Sequence, residues 1–181
     1  PLVIKPGYPG LIPAHESVTF FLSIPVFLTI TLSNGGKAHT IGTIPTRQLS
    51  DSWFGGPTAG EYCYSLPFST ERDFETLAAR PNEIVCPVEI ENHSGDDPVF
   101  EKFCFRPLYL GIYCGDSHLW TRMVTIRYEG NFRGSEIRYN GSLPRQEGNL
   151  LEVAPPSRQP EKRFRTLTFS SGFSRDVIFG K

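Results

Sequence analysis

Residues 83–91 read Glu-Ile-Val-Cys-Pro-Val-Glu-Ile-Glu. Ile84, Cys86, Val88 and Ile90 occupy every second position, opposite Val85, Pro87 and Glu89. A period of two marks an extended strand, because successive side chains leave a pleated backbone on opposite sides. Downstream, Asn92-His93-Ser94-Gly95-Asp96-Asp97-Pro98 is turn chemistry, built from side chains that bond their own backbone. Val99 to Cys114 is then a long apolar run with natural breaks at Pro107 and Gly111. Phe103, Phe105, Tyr109 and Tyr113 alternate with Cys104, Leu108, Leu110 and Ile112, so both faces are apolar, as for a strand inside a sandwich. Trp120 to Tyr128 and Ser135 to Tyr139 predict a further pair joined by a hairpin around Gly130 to Gly134.

Upstream the same texture holds. Val18 to Ile24 alternates with Phe20, Leu22 and Ile24 on one side, and Val26 to Leu32 with Val26, Leu28, Ile30 and Leu32 inward. Pro25 between them removes one ladder donor and marks a bulge, a bend or an edge. Ser33-Asn34-Gly35-Gly36 is a hairpin turn, with Ala38 to Ile44 returning and Glu61 to Leu66 as another strand. Ser69 to Arg80 predicts the one short helix, with Thr70 and Asp73 as a capping box, an apolar face at Phe74, Leu77 and Ala78, and Pro81 as its stop. A Pro-rich link from Pro155 to Pro160 leads to a basic strand at Lys162 to Phe169, and residues 170–181 read as a loose tail. The fold expected is an all-β antiparallel sandwich, immunoglobulin-like or jelly-roll-like. It forms one domain over residues 1–169, with two related halves meeting near residue 81 as the alternative.

Composition narrows the partners. The 181 residues carry 18 Lys+Arg against 19 Asp+Glu, a net charge of -1, which removes the basic footprint of a nucleic-acid binder. The uncharged run Ser17 to Gly36 has a strongly apolar part, Val18 to Leu32, shorter than the ~20 residues of a spanning helix. No membrane span is expected. The start Pro1-Leu2-Val3-Ile4 lacks a secretory leader, so a cytoplasmic location is expected, and a chain beginning with Pro reads as trimmed.

Chemistry is sparse. The four cysteines, Cys63, Cys86, Cys104 and Cys114, form no Cys-x-x-Cys pair and read as buried reduced thiols, with a Cys86–Cys104 bridge as the oxidised alternative. In an extended Cys114-Gly115-Asp116-Ser117-His118 the thiol, carboxylate and imidazole share a side, and His93 is available to complete a zinc or iron set. Against that, Gly115-Asp116-Ser117 is turn chemistry and breaks the common side. The Gly-rich stretch Gly55 to Gly60 lacks the Lys-Ser/Thr of a phosphate loop and reads as a surface loop, with Trp53 and Phe54 as a binding lip. With no nucleophile, base and orienter together, the expected role is binding or assembly without catalysis and without cofactor, through a protein partner or homodimeric strand pairing. The alternatives are a metal-dependent enzyme or sensor on the same scaffold, and a carbohydrate-binding module stacking sugars on Trp53 and Trp120.

The order of these segments resembles a known family. A long apolar strand pair with an Asn-Gly turn (Val18 to Gly36) is followed by Phe-Gly-Gly-Pro-Thr-Ala-Gly-Glu-Tyr-Cys at Phe54 to Cys63. Val88-Glu89-Ile90-Glu91-Asn92 then precedes a turn and the long strand Phe100 to Cys114. This layout resembles the prokaryotic domain-of-unknown-function family 432 over about Leu2 to Tyr128. There a Tyr-Gly-x-Pro-x-x-Gly-x-x-Cys segment lies between β-rich halves and Ile-Glu-Asn opens the later strands. Phe54 stands where that pattern has Tyr. The resemblance implies a β-rich fold and no activity.

Overall fold

A computed structural model describes residues 1–5, 10–58, 60–67, 73–76, 80–100, 102–130 and 135–159. Its strands are β1 (Leu2–Lys5), β2 (Gly10–Leu11), β3 (Ser17–Pro25), β4 (Phe27–Asn34), β5 (Lys37–Pro45), β6 (Ser50–Phe54), β7 (Glu61–Pro67) and β8 (Glu83–Asn92). They continue with β9 (Val99–Phe100), β10 (Phe103–Phe105), β11 (Ile112–Cys114), β12 (Leu119–Trp120), β13 (Val124–Tyr128), β14 (Ser135–Arg138) and β15 (Leu151–Ala154). The fold is all-β. Within the predicted helix, the described residues hold a single 3-10 turn at Phe74–Thr76, and residues 69–72 and 77–79 lie outside the described set. The predicted strand 162–169 and the tail 170–181 lie outside it too.

Two sheets face each other. The smaller has the order β10-β1-β7-β6, and the larger joins β14, β13, β8, β12, β11 and β15, with β3 on the other flank of β8. Leu2, Ile4 and Phe103 from the first sheet meet Phe20, Leu22, Cys86, Val88, Ile90, Val124 and Ile126 from the second in one buried cluster. Phe20 and Phe103 touch edge to face across it, with ring centroids 6.2 Å apart. This core draws on both sides of residue 81. The all-antiparallel expectation needs correcting, because β1 runs parallel to β7, and β8 parallel to both β12 and β13. Long excursions of chain separate each of these pairs, which is what a parallel neighbour requires.

The second correction concerns β4. The predicted turn is present, with Gly35 at φ 57° and Gly36 at φ 81°, the positive-φ pair that suits a tight hairpin. Its strands, however, pair only with each other, as a separate two-stranded sheet. Leu28, Ile30 and Leu32, expected to face the core, are exposed. Pro25 explains the departure, since β3 follows β8 residue by residue to the Pro25–Glu83 pair and the chain then leaves the ladder.

Candidate functional site

The β4–β5 hairpin is an arm roughly 26 Å long, taking its eight-residue strand at ~3.3 Å per residue. Cross-strand pairs decide what each side offers. Leu28 opposes Ile44, Ile30 opposes Gly42, and Leu32 opposes His39, so one face is aliphatic. Thr29 opposes Thr43, Thr31 opposes Thr40, and Ser33 opposes Ala38, so the other is hydroxylic beyond the Phe27–Pro45 pair at its root. Ile41 is an extra residue in β5, where the register shifts opposite Ile30/Thr31. The aliphatic face is open to solvent, with Leu28 at 58%, Ile30 at 47%, Leu32 at 63% and Ile44 at 54% exposure. Except for Lys37 at the tip, the arm carries no Lys, Arg, Asp or Glu. At its root, the Val26 N–H donates to the Asn82 carbonyl (2.9 Å) and the Thr46 N–H to the Val26 carbonyl (2.9 Å). The Thr46 hydroxyl adds a bond to the Val26 carbonyl at 2.8 Å and lies 3.2 Å from that of Asn82. Sequence reading found the hairpin and its turn but assigned its apolar face to the core.

The expected lip is not assembled. Phe54 is buried with Val3, Cys63 and Cys104, and Trp120 is wholly buried with Phe21, Val85 and Tyr113. Neither offers a stacking platform. Trp53 is half exposed, its Nε1–H donating to the Gly56 carbonyl at 3.0 Å. A side chain at Gly60 would strike the Trp53 ring, which accounts for glycine there. Trp53 pairs with Tyr62, and Tyr62 packs on Tyr64 at 5.9 Å, giving three exposed aromatic rings on the β6–β7 edge. Tyr62 bonds Asp51, and that hydrogen bond raises its pKa to about 12.

The proposed metal set is divided. His93 hydrogen-bonds Glu91 at 2.9 Å, beyond the C-terminal end of β8, while His118 adjoins the strand's other end, where Leu119 pairs with Ile84. Cys114 and Asp116 are exposed, and both line a cleft of about 400 Å³ with His118, Ser23, Asn82 and Glu83. Cys114 pairs with Leu119, one pleat out of step with the Tyr113–Trp120 pair. The His118 ring lies on the Trp120 side, with centroids 5.9 Å apart, and Phe74 covers it at 5.3 Å. Its Nδ1–H donates to Glu147 at 2.6 Å, a partner 29 residues away that no local spacing announces. Burial pushes the Glu147 carboxyl up, and hydrogen bonds from His118 and the Ser117 N–H outweigh it, holding the carboxyl below its usual range. The Nε2 atom, through which such an imidazole acts on a substrate, is buried with no partner among the described residues. The pair therefore ties the 115–118 turn to the loop at Glu147. The three buried thiols are unprimed for attack, because burial pushes Cys63 up and Cys86 and Cys104 to about 12.

Ile90-Glu91-Asn92 has a structural reading. The two N–H groups of buried Asn92 Nδ2 are shared among the carbonyls of Ile12 (3.0 Å), Pro13 (3.0 Å) and Asp96 (2.8 Å), and Oδ1 accepts from the Ser94 N–H and hydroxyl.

In comparisons with known proteins, residues 1–173 match the family model described as protein of unknown function (DUF432). No curated protein and no solved structure matches the chain.

Proposed function

We propose that this chain, which belongs to the DUF432 family, works as a non-catalytic assembly module that pairs with a second copy of itself through the β4–β5 arm. The observation that carries the reading is the open aliphatic face of Leu28, Ile30, Leu32 and Ile44 on a two-stranded sheet with no covering layer among the described residues. Two-stranded hairpins are marginal alone in water, and a sheet with one apolar face calls for a second layer. The arm's charge pattern favours a like surface as that layer. From Phe27 to Gly36 and from Ala38 to Pro45 there is no Lys, Arg, Asp or Glu to match a charged partner. Antiparallel packing of two arms also holds their Lys37 tips at opposite ends.

Magnitudes indicate reversible association. Covering four half-exposed aliphatic side chains is worth about 1 kcal/mol each, or about 8 kcal/mol for two arms. Association costs about 4–15 kcal/mol, so the dimer fraction should depend on concentration. Sedimentation and light scattering on the whole chain test this. Mass should rise toward a dimer with concentration and change little between low and ~1 M salt, since no ion pair holds the arms. The double substitution Ile30→Lys and Leu32→Lys should leave a monomer with an unchanged β-sheet spectrum. A chain that stays monomeric to about 1 mM, or a dimer indifferent to the lysines, overturns the reading. A monomer that binds glycans through Trp53, Tyr62 and Tyr64 would replace it with the carbohydrate-binding alternative.

A further inference from the structure

The smaller sheet has a second buried face. Along β7, Tyr62 and Tyr64 are exposed while Cys63 is buried and Glu61 half-buried, so Glu61 and Cys63 project to the same side. Val3 of β1 and its ladder partner Cys104 of β10 share that side, and Val3, Phe54, Cys63 and Cys104 form a small cluster separate from the main core. The Cys63 and Cys104 Sγ atoms are 3.8 Å apart, reaching toward each other over β1. A carboxylate oxygen of Glu61 lies within 4.8 Å of both.

The two thiols are not bonded to each other, since their sulfurs stand 3.8 Å apart against the ~2.05 Å of a disulfide. A tetrahedral ion does match the distance, because zinc–sulfur bonds of about 2.3 Å meeting at the tetrahedral angle hold two sulfurs about 3.8 Å apart. The carboxylate is already oriented. Arg106 Nη2 donates to both Glu61 oxygens, at 2.9 and 2.7 Å, and each oxygen keeps a second lone pair. Two thiolates, one carboxylate and one guanidinium sum to a charge of about -2, which a divalent cation cancels. Glu61, 34% exposed, opens the cluster to solvent on one side and gives an ion its way in.

We infer that Cys63, Cys104 and Glu61 form a binding site for a thiophilic divalent cation of the zinc type, with Arg106 positioning the carboxylate. Each thiol gives up its proton as a metal–sulfur bond forms, so loading releases two protons and changes no oxidation state. The three protein ligands fasten β7 to β10 across β1 and leave the fourth position to solvent. The site is distinct from the divided Cys114, Asp116, His118 and His93 set.

The test uses the whole chain, reduced and stripped of metal, titrated with cadmium and then with zinc. One cadmium per chain should bind and produce the ultraviolet charge-transfer band of a cadmium–thiolate bond. Cys63→Ser and Cys104→Ser should each remove most of that band, while Cys114→Ser keeps it. Arg106→Lys should weaken zinc binding roughly tenfold or more. X-ray absorption at the zinc edge of the unaltered protein reads the same point without any variant, and two sulfurs with two lighter atoms are expected. A zinc shell with no sulfur or with four, a band lost in Cys114→Ser but kept in Cys63→Ser, or no stoichiometric cadmium uptake overturns the site.

Discussion

Asn92 shows how one buried amide organises a corner of the molecule. Its two oxygen-side and three nitrogen-side contacts join the end of β8, the segment at Ile12 and Pro13, and the turn at Asp96. Changing Asn92 to Asp replaces the donor with oxygen facing three carbonyls, and changing it to Ala leaves those carbonyls unmatched. Both should lower stability, by about 3 kcal/mol or more for Asp and about 2 kcal/mol for Ala. Urea unfolding followed by fluorescence checks this, with a lower midpoint and an unchanged slope expected. A loss under about 0.5 kcal/mol for both would show that water serves the corner as well as the amide does. Legibility was uneven at this scale. The turn chemistry of 92–98 announced itself, but the partners Ile12 and Pro13 are 79 to 80 residues distant. Likewise His118 stood out as a chemical residue, while Glu147 did not, because only folding brings the two together.

Strand positions were the most readable part of the molecule, because pleat periodicity is local. β3, β5, β7 and β8 lie within a residue or two of their expected bounds. Which faces are covered was not readable, since β4 shows the alternation of a buried strand and stands in solvent. The segment predicted as one strand from Trp120 to Tyr128 is two, and Pro87 supplies the reason. Val85 accepts the Thr121 N–H through its carbonyl, and residues two apart turn the same way, so the Pro87 nitrogen faces that flank too. Having no N–H to give, it sits where residues 121–123 leave the ladder between β12 and β13. The arm yields a prediction of its own. Ile41 is the odd residue in β5, and a bulge spoils an edge for further strand pairing. Deleting Ile41 should keep the pairs on either side, straighten that edge and push assembly past the proposed dimer into larger, polydisperse species. Light scattering decides it, and a deletion variant no larger than the parent would show that the bulge restrains nothing.

For the whole molecule, acid is the informative stress. The Glu147 carboxyl is held below its usual range by hydrogen bonds that outweigh burial. Glu91 is held low first by its His93 hydrogen bond and then by Arg127, against burial. Both groups have folded values below the unfolded ~4.3. Their contribution is therefore complete above that value and lost as pH falls through the folded ones. Urea midpoints should drop as pH is lowered below about 5, and the drop should be shallower in Glu147→Gln. A midpoint that holds or rises on acidification would mean these carboxyls are not tied in the folded protein. The whole-molecule view also gives the root of the arm its significance. Val26, Asn82 and Thr46 fasten the root of the hairpin to the body through several hydrogen bonds, which fixes the direction in which it leaves. Two copies paired through arms rooted in this way, as proposed, would keep a set separation and angle, and any surface they carry would be presented twice in one pose.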